Sequence, residues 1–161
     1  FKISSNDING GSHRFYCRKF KRGSIELPKE NILKMMKDFV TRVKKNKEIT
    51  LNFIRKQIKK KKKIFLYGAS TKGNTVLQYY GLSHRIIPYA AERTPFKWGK
   101  YTIGTGIKII SEKDAKKLKP DFFFVTPWGF IKEFISREKN WLNNGGKFIL
   151  PFPKMKIIGK K

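Results

Sequence analysis

The chain has a single cysteine, Cys17, so it can form neither an internal disulfide nor a cysteine-built structural zinc site. Its two histidines, His13 and His84, stand at no metal-ligand spacing from a cysteine or an acid. Acidic residues are few, 11 Asp and Glu against 38 Lys and Arg, which leaves a formal net charge of +27. No apolar run approaches the roughly 18 residues of a membrane span, so an integral membrane protein is not expected. There is no basic, apolar, small-residue leader, so the expected location is the cytoplasm. The chain begins at Phe1, without an initiator methionine and already in a strand-like pattern. That reads as a piece of a longer protein.

What is present can build a core. Of 161 residues, 39% are hydrophobic and 14% aromatic, which suits about one folded domain and not a disordered tail. The positive surplus would attract phosphates, nucleic acid or anionic lipid. Lysine far outnumbers arginine, however, Ile, Phe and Asn are abundant, and alanine is scarce. Codons rich in A and T encode the enriched residues, so base composition accounts for much of the excess. The run from Lys59 to Lys63 reads as a solvated helix end. No zinc finger, RNA-binding signature or recognition helix accompanies the charge, and nucleic acid is not the expected partner.

Residues 1–20 alternate around Asn9-Gly10-Gly11, a hairpin pattern with glycines available for positive φ. Pro28 is placed to open a helix, followed by one apolar stripe of Ile32, Met36, Phe39, Val43, Leu51, Ile54 and Ile58. Lys47 interrupts the stripe, so a bend near 45–48 is expected, and the segment reads as a helix that joins domains or covers a sheet. From residue 63 the pattern becomes alternating strands and helices. Strands are expected at 63–67, 86–91, 107–110, 121–125 and 147–150. Helices are expected at 75–80, 112–118 and 130–142. Such alternation implies crossover connections and a mostly parallel, Rossmann-like α/β sheet with flanking helices. The expected organisation is a hairpin over 1–27, a linking helix or helices over 28–62 and a Rossmann-like domain over 63–161.

The first strand runs into Gly68-x-Ser70-x-x-Gly73 and then a helix, the context of a dinucleotide fingerprint. Gly68 suits the tight turn and Gly73 suits close packing of helix on strand. Glu92, 24 residues after Gly68, stands where an acid would meet a ribose hydroxyl. Ser70 departs from the pattern, because the second glycine lets the backbone approach a pyrophosphate. A serine hydroxyl could instead contact a phosphate itself, and Lys72 adds a cation near a helix N-terminus that already favours anions. The alternative for these residues is a turn with no ligand. Ser70 is not read as a hydrolase nucleophile, since no histidine follows His84 to complete a triad. Trp98 and Trp128 fall in glycine-containing loops after strands, on the edge where α/β ligands bind, and could equally cover the core there.

Read together, GGSHRFY at 10–16, YGASTKGNT at 67–75, AERTPFKWGKYTIGTGIKI at 91–109, KPDFFFVTPW at 119–128 and GGKFILPFP at 145–153 resemble the C-terminal domain of sugar C-methyltransferases. These S-adenosylmethionine-dependent enzymes methylate carbon 3 of keto-deoxysugars carried on a nucleoside diphosphate. The resemblance covers nearly the whole chain. It implies an N-terminal zinc-binding domain and a middle domain that binds S-adenosylmethionine and carries the catalytic Tyr/Glu/His cluster, both outside this chain. The hairpin would then close that middle domain. The chain itself is expected to hold the nucleoside diphosphate sugar, with no catalytic residue, cofactor or metal of its own, and to be inactive alone. Ser70, Lys72, Gly73 and Asn74 are expected near phosphates, with Lys100, Tyr101 and Thr105 on a neighbouring loop and Arg14 towards the interdomain cleft. An NAD(P)-binding oxidoreductase domain and a basic nucleic-acid-binding module are the alternatives. Glu92 stands where the family commonly carries Asp, which leaves its ribose role open.

Overall fold

The computed structural model describes residues 2–6, 12–16 and 32–160. Asn9-Gly10-Gly11, Cys17 and Pro28 lie outside the described residues. Strands β1 (Lys2–Asn6) and β2 (Ser12–Tyr16) pair antiparallel, Lys2 opposite Tyr16 and Asn6 opposite Ser12, as the alternating pattern predicts.

Helix α1 (Ile32–Lys59) is continuous, without the bend expected near Lys47. The lysine is accommodated where the apolar stripe lapses. Its ammonium donates to the Tyr79 carbonyl and lies 4.3 Å from the centre of the Tyr79 ring. Only the second half of the stripe packs, through Leu51 and Ile54. In the first half Ile32, Leu33, Met35, Met36, Phe39 and Val40 are exposed. Two buried residues of α1 are polar. The Asn46 amide donates to the Pro151 carbonyl and accepts from Met155 N–H at 2.8 Å, and Thr50 donates to Asn46 O at 2.8 Å.

The remaining elements are β3 (Ile64–Tyr67), α2 (Thr71–Tyr80), β4 (Tyr89–Glu92), β5 (Lys108–Ser111), α3 (Glu112–Lys117), β6 (Phe122–Val125), α4 (Ile131–Arg137), α5 (Lys139–Asn143), β7 (Lys147–Leu150) and β8 (Lys156–Ile158). They form a six-stranded sheet in the order β5-β4-β3-β6-β7-β8. All neighbours are parallel except β8, which runs antiparallel to β7. The central strands, IFLY and FFFV, are buried on both faces, which is why they read as unbroken apolar runs. Alternation divides their side chains. Ile64, Leu66, Phe122 and Phe124 pack with α1 and α2 residues Ile54 and Leu77. Phe65, Tyr67, Phe123 and Val125 pack on the other face with Ala115 of α3, Phe134 of α4 and Leu142 of α5.

Three local expectations need correction. Helix α2 begins at Thr71, four residues before the expected start, because Ser70 caps it. The expected helix over 130–142 is divided at Glu138, whose side chain is drawn into the core by the Tyr67 hydroxyl at 2.8 Å and the Lys116 ammonium at 2.7 Å. Strand β8 lies beyond the last of the expected strands, which ends at residue 150. The lysine run does end a helix, and Lys62 and Lys63 at its far end are engaged, with Asp121 Oδ1 at 2.8 Å and Leu118 O at 3.0 Å.

Candidate functional site

The order β5-β4-β3-β6-β7 reverses direction between β3 and β6. Outside the carboxyl ends of those two strands an open α/β sheet forms its ligand crevice. Here that crevice is a cavity of about 280 Å³ lined by Ser70, Thr71, Lys72, Thr126, Pro127, Trp128, Gly129 and Phe130.

One wall is the turn from β3 into α2. Gly68 has φ +82°, a left-handed conformation that favours glycine, and donates its N–H to Ala91 O at 2.8 Å. Ser70 turns its hydroxyl inward to accept from Gly73 N–H at 3.0 Å. The cap leaves the N–H groups of Thr71 and Lys72 at the start of a ten-residue helix, beside the cavity. The helix approaches β6 so closely that a Cβ on Gly73 would lie 2.3 Å from Thr126 Oγ1. This is the close helix-on-strand contact for which the fingerprint reserves a glycine.

The other wall is the segment after β6. Thr126 is fully buried, and its hydroxyl has no hydrogen-bond partner among the described residues; the same holds for Asn74 Oδ1 on the first turns of α2. Trp128 packs against Phe152, ring centres 5.3 Å apart, and Phe130 is half exposed at the rim. The cavity thus combines amide donors and a lysine on one side with proline and aromatic surface on the other. That combination suits an anionic group carrying a flat or ring-shaped body.

Of the residues expected at a ligand, Ser70 and Lys72 line this cavity, and Gly73 and Asn74 follow them on the first turns of α2. Lys100, Thr105 and Arg14 do not line it. Thr105 is buried with its hydroxyl 2.6 Å from that of Thr102, in a loop that packs on Gln78 near the far end of α2. The Lys100 ammonium lies 5.7 Å from the Phe96 ring centre, and exposed Tyr101 bridges to Lys108. Arg14 is exposed on β2, its guanidinium 3.4 Å from the Tyr16 hydroxyl. Trp98 donates its indole N–H to Glu92 O at 2.8 Å and so pins its own loop.

Sequence reasoning missed two cations. Lys97 reaches the β3–α2 turn, donating to Ala69 O at 3.0 Å. Arg137 joins Tyr67, Glu112 and Glu133 beside a second cavity of about 230 Å³ that shares Phe130 with the first. Burial, and then Glu138 beside it, pushes the Tyr67 phenol above its ordinary pKa and keeps it a proton donor. Only tertiary structure brings either cation to the strand ends, so no local pattern could have revealed them. Among the described residues no three His, Cys, Asp or Glu side chains come together as a metal site requires. No described helix is long and apolar enough to cross a membrane.

Residues 7–153 match the family described as C-methyltransferase C-terminal domain. The C-methyltransferase NovU of Streptomyces niveus is 39% identical over 92 residues, which cover 57% of this chain and 22% of that protein. The chain thus spans about a fifth of the length of that relative.

Proposed function

The chain belongs to the C-methyltransferase C-terminal domain family, and from that premise we propose that it is the part of an S-adenosylmethionine-dependent methyltransferase that holds a nucleoside diphosphate sugar. The observation that carries this reading is the cavity at the reversal point of the sheet. One side offers the N–H groups opening α2 and the ammonium of Lys72, groups that suit a diphosphate. The other offers Pro127, Trp128 and Phe130, surfaces that suit a base or sugar ring.

Methyl transfer itself is assigned to a part of the protein beyond this chain. A pocket for S-adenosylmethionine needs an acceptor for its ribose hydroxyls, and the carboxylate at the end of β4 has its oxygens committed to Ala69, Thr94 and Lys97. The residues described here do not fit that cofactor, and no step is derived through it. What the chain contributes is position. Binding energy on the diphosphate and base holds the sugar where a separate catalytic lobe can reach it, and converts an encounter into a local reaction. The exposed apolar face of α1, from Ile32 to Val40, supports reading that helix as the link to the catalytic lobe.

Calorimetry on the 161-residue chain tests the proposal. Thymidine or uridine diphosphate should release heat and saturate at one site, and S-adenosylmethionine should not. Tight S-adenosylmethionine binding, or no response to either diphosphate, would contradict it.

A further inference from the structure

Glu92 occupies the position at which a dinucleotide-binding domain reads a ribose, but its carboxylate points back into the protein. It ends β4 and is 8% exposed. Its Oε2 accepts from Ala69 N–H at 2.9 Å, and its Oε1 accepts from Thr94 N–H at 3.0 Å and from the Thr94 hydroxyl at 2.8 Å. The Lys97 ammonium lies 3.4 Å from Oε2 and donates to Ala69 O at 3.0 Å. Both backbone polar groups of Ala69, the residue between Gly68 and the cap Ser70, are therefore held by one carboxylate–ammonium pair. A carboxylate has about four acceptor sites, and four donors already surround this one.

We propose that Glu92, together with Lys97, is a positioning residue that fixes the diphosphate-binding turn through Ala69, and that this commitment favours a single nucleoside diphosphate in the cleft and excludes NAD(H). NAD is held through a carboxylate that accepts from its adenosine ribose, and Glu92 has no acceptor left to give. The inference rests on the reading of the cleft given above. Burial opposes the ionised form of Glu92, but the bonds from Thr94 and Ala69 and the charge of Lys97 outweigh it and hold the carboxyl below its ordinary range. Arg93, Glu112, Glu133 and Arg137 line the cavity that Glu92 borders.

The test combines amide NMR with calorimetry on the 161-residue chain, using thymidine diphosphate and NADH as probes. In the unmodified chain the Ala69 amide should titrate with a midpoint below the ordinary glutamate range, and the diphosphate should bind while NADH neither binds nor competes. Glu92→Gln should abolish that titration, leave the sheet resonances in place and weaken the diphosphate about tenfold, the loss expected for one charge-assisted hydrogen bond. Lys97→Met should raise the Ala69 midpoint and weaken the diphosphate about threefold, and it decides the matter if Glu92→Gln does not fold. An Ala69 amide that does not titrate, unchanged diphosphate affinity in the folded variants, or NADH that competes would each overturn the proposal. If the unmodified chain bound no diphosphate while Ala69 titrated as described, the tether would stand. The reading of the cleft would fall, and the positioning role with it.

Discussion

Substituting alanine for Gly73 probes the contact that brings α2 to the cavity. The added Cβ would lie 2.3 Å from Thr126 Oγ1, 3.0 Å from Ser70 Oγ and 3.1 Å from Thr126 Cβ. The first distance is far inside contact range, and Thr126, directly after β6, is fully buried. Overpacking of this kind costs about 1–3 kcal/mol. Against it stands the gain from replacing glycine by alanine in a helix, about 1 kcal/mol. The net loss should therefore reach up to about 2 kcal/mol. For a domain of about 60–100 residues each kcal/mol moves the melting temperature by about 4–8 °C. Thermal unfolding followed by circular dichroism reads this directly. A double-mutant cycle with Thr126→Ala isolates the cause. With the Thr126 hydroxyl gone, Gly73→Ala should cost little or nothing, a coupling of up to about 2 kcal/mol. A Gly73→Ala chain as stable as the parent, or an equal loss in both backgrounds, would refute the argument that α2 rests on Thr126.

Tyr67→Phe should destabilise by about 2 kcal/mol in a urea titration, because the buried hydroxyl donates to Glu138 at 2.8 Å and accepts from Arg137 at 2.7 Å, and the variant leaves both charged partners short of a bond; an unchanged midpoint would contradict the network. Ser70→Ala removes the cap of α2 and should cost about 1 kcal/mol by the same measurement, with weaker diphosphate binding as the functional counterpart. Acid should unfold the chain through Glu92 and Asp121. Burial opposes ionisation of both, but Thr94, Ala69 and Lys97 at the first, and Lys62 and the Lys63 N–H at the second, hold both below their ordinary values. A depressed folded value means that the unfolded chain takes up the proton first. The contribution is therefore complete above the unfolded values of about 4 and is lost as the pH falls through the folded ones. Stability measured from pH 7 downwards should stay level to about pH 5 and then drop, with a shallower drop in Glu92→Gln; a loss centred near neutrality would contradict this.

The parts of the fold that could be read from the sequence are those set by local periodicity. Ile64–Tyr67, Phe122–Val125 and Lys147–Leu150 announce themselves because central parallel strands need apolar side chains on both faces. Gly68 and Gly73 could be read because a positive φ and a missing Cβ are requirements of the turn. What escaped depends on distant partners. Glu138 looks like a surface residue of one amphipathic helix until Tyr67 and Lys116 draw it inward and divide that helix. Strand β8 follows a proline-containing segment and exists because β7 offers it an edge. The upper apolar stripe of α1 is real in the sequence, yet Met36 and Phe39 stay exposed here. At the site, Ser70 and Lys72 were marked by the fingerprint, whereas Lys97 reaches Ala69 only through the folding of its own loop. Glu92 stands at the ribose-reading spacing, but spacing carries no information on its oxygens, which turn inward to Ala69 and Thr94.

The most direct measurement is amide chemical-shift mapping of the chain as thymidine diphosphate is added. The account predicts saturable shifts concentrated on residues 70–74 and 126–130, the two walls of the cavity between β3 and β6. Shifts confined to the lysine-rich end of α1, or scattered over the basic surface and erased by moderate salt, would contradict it.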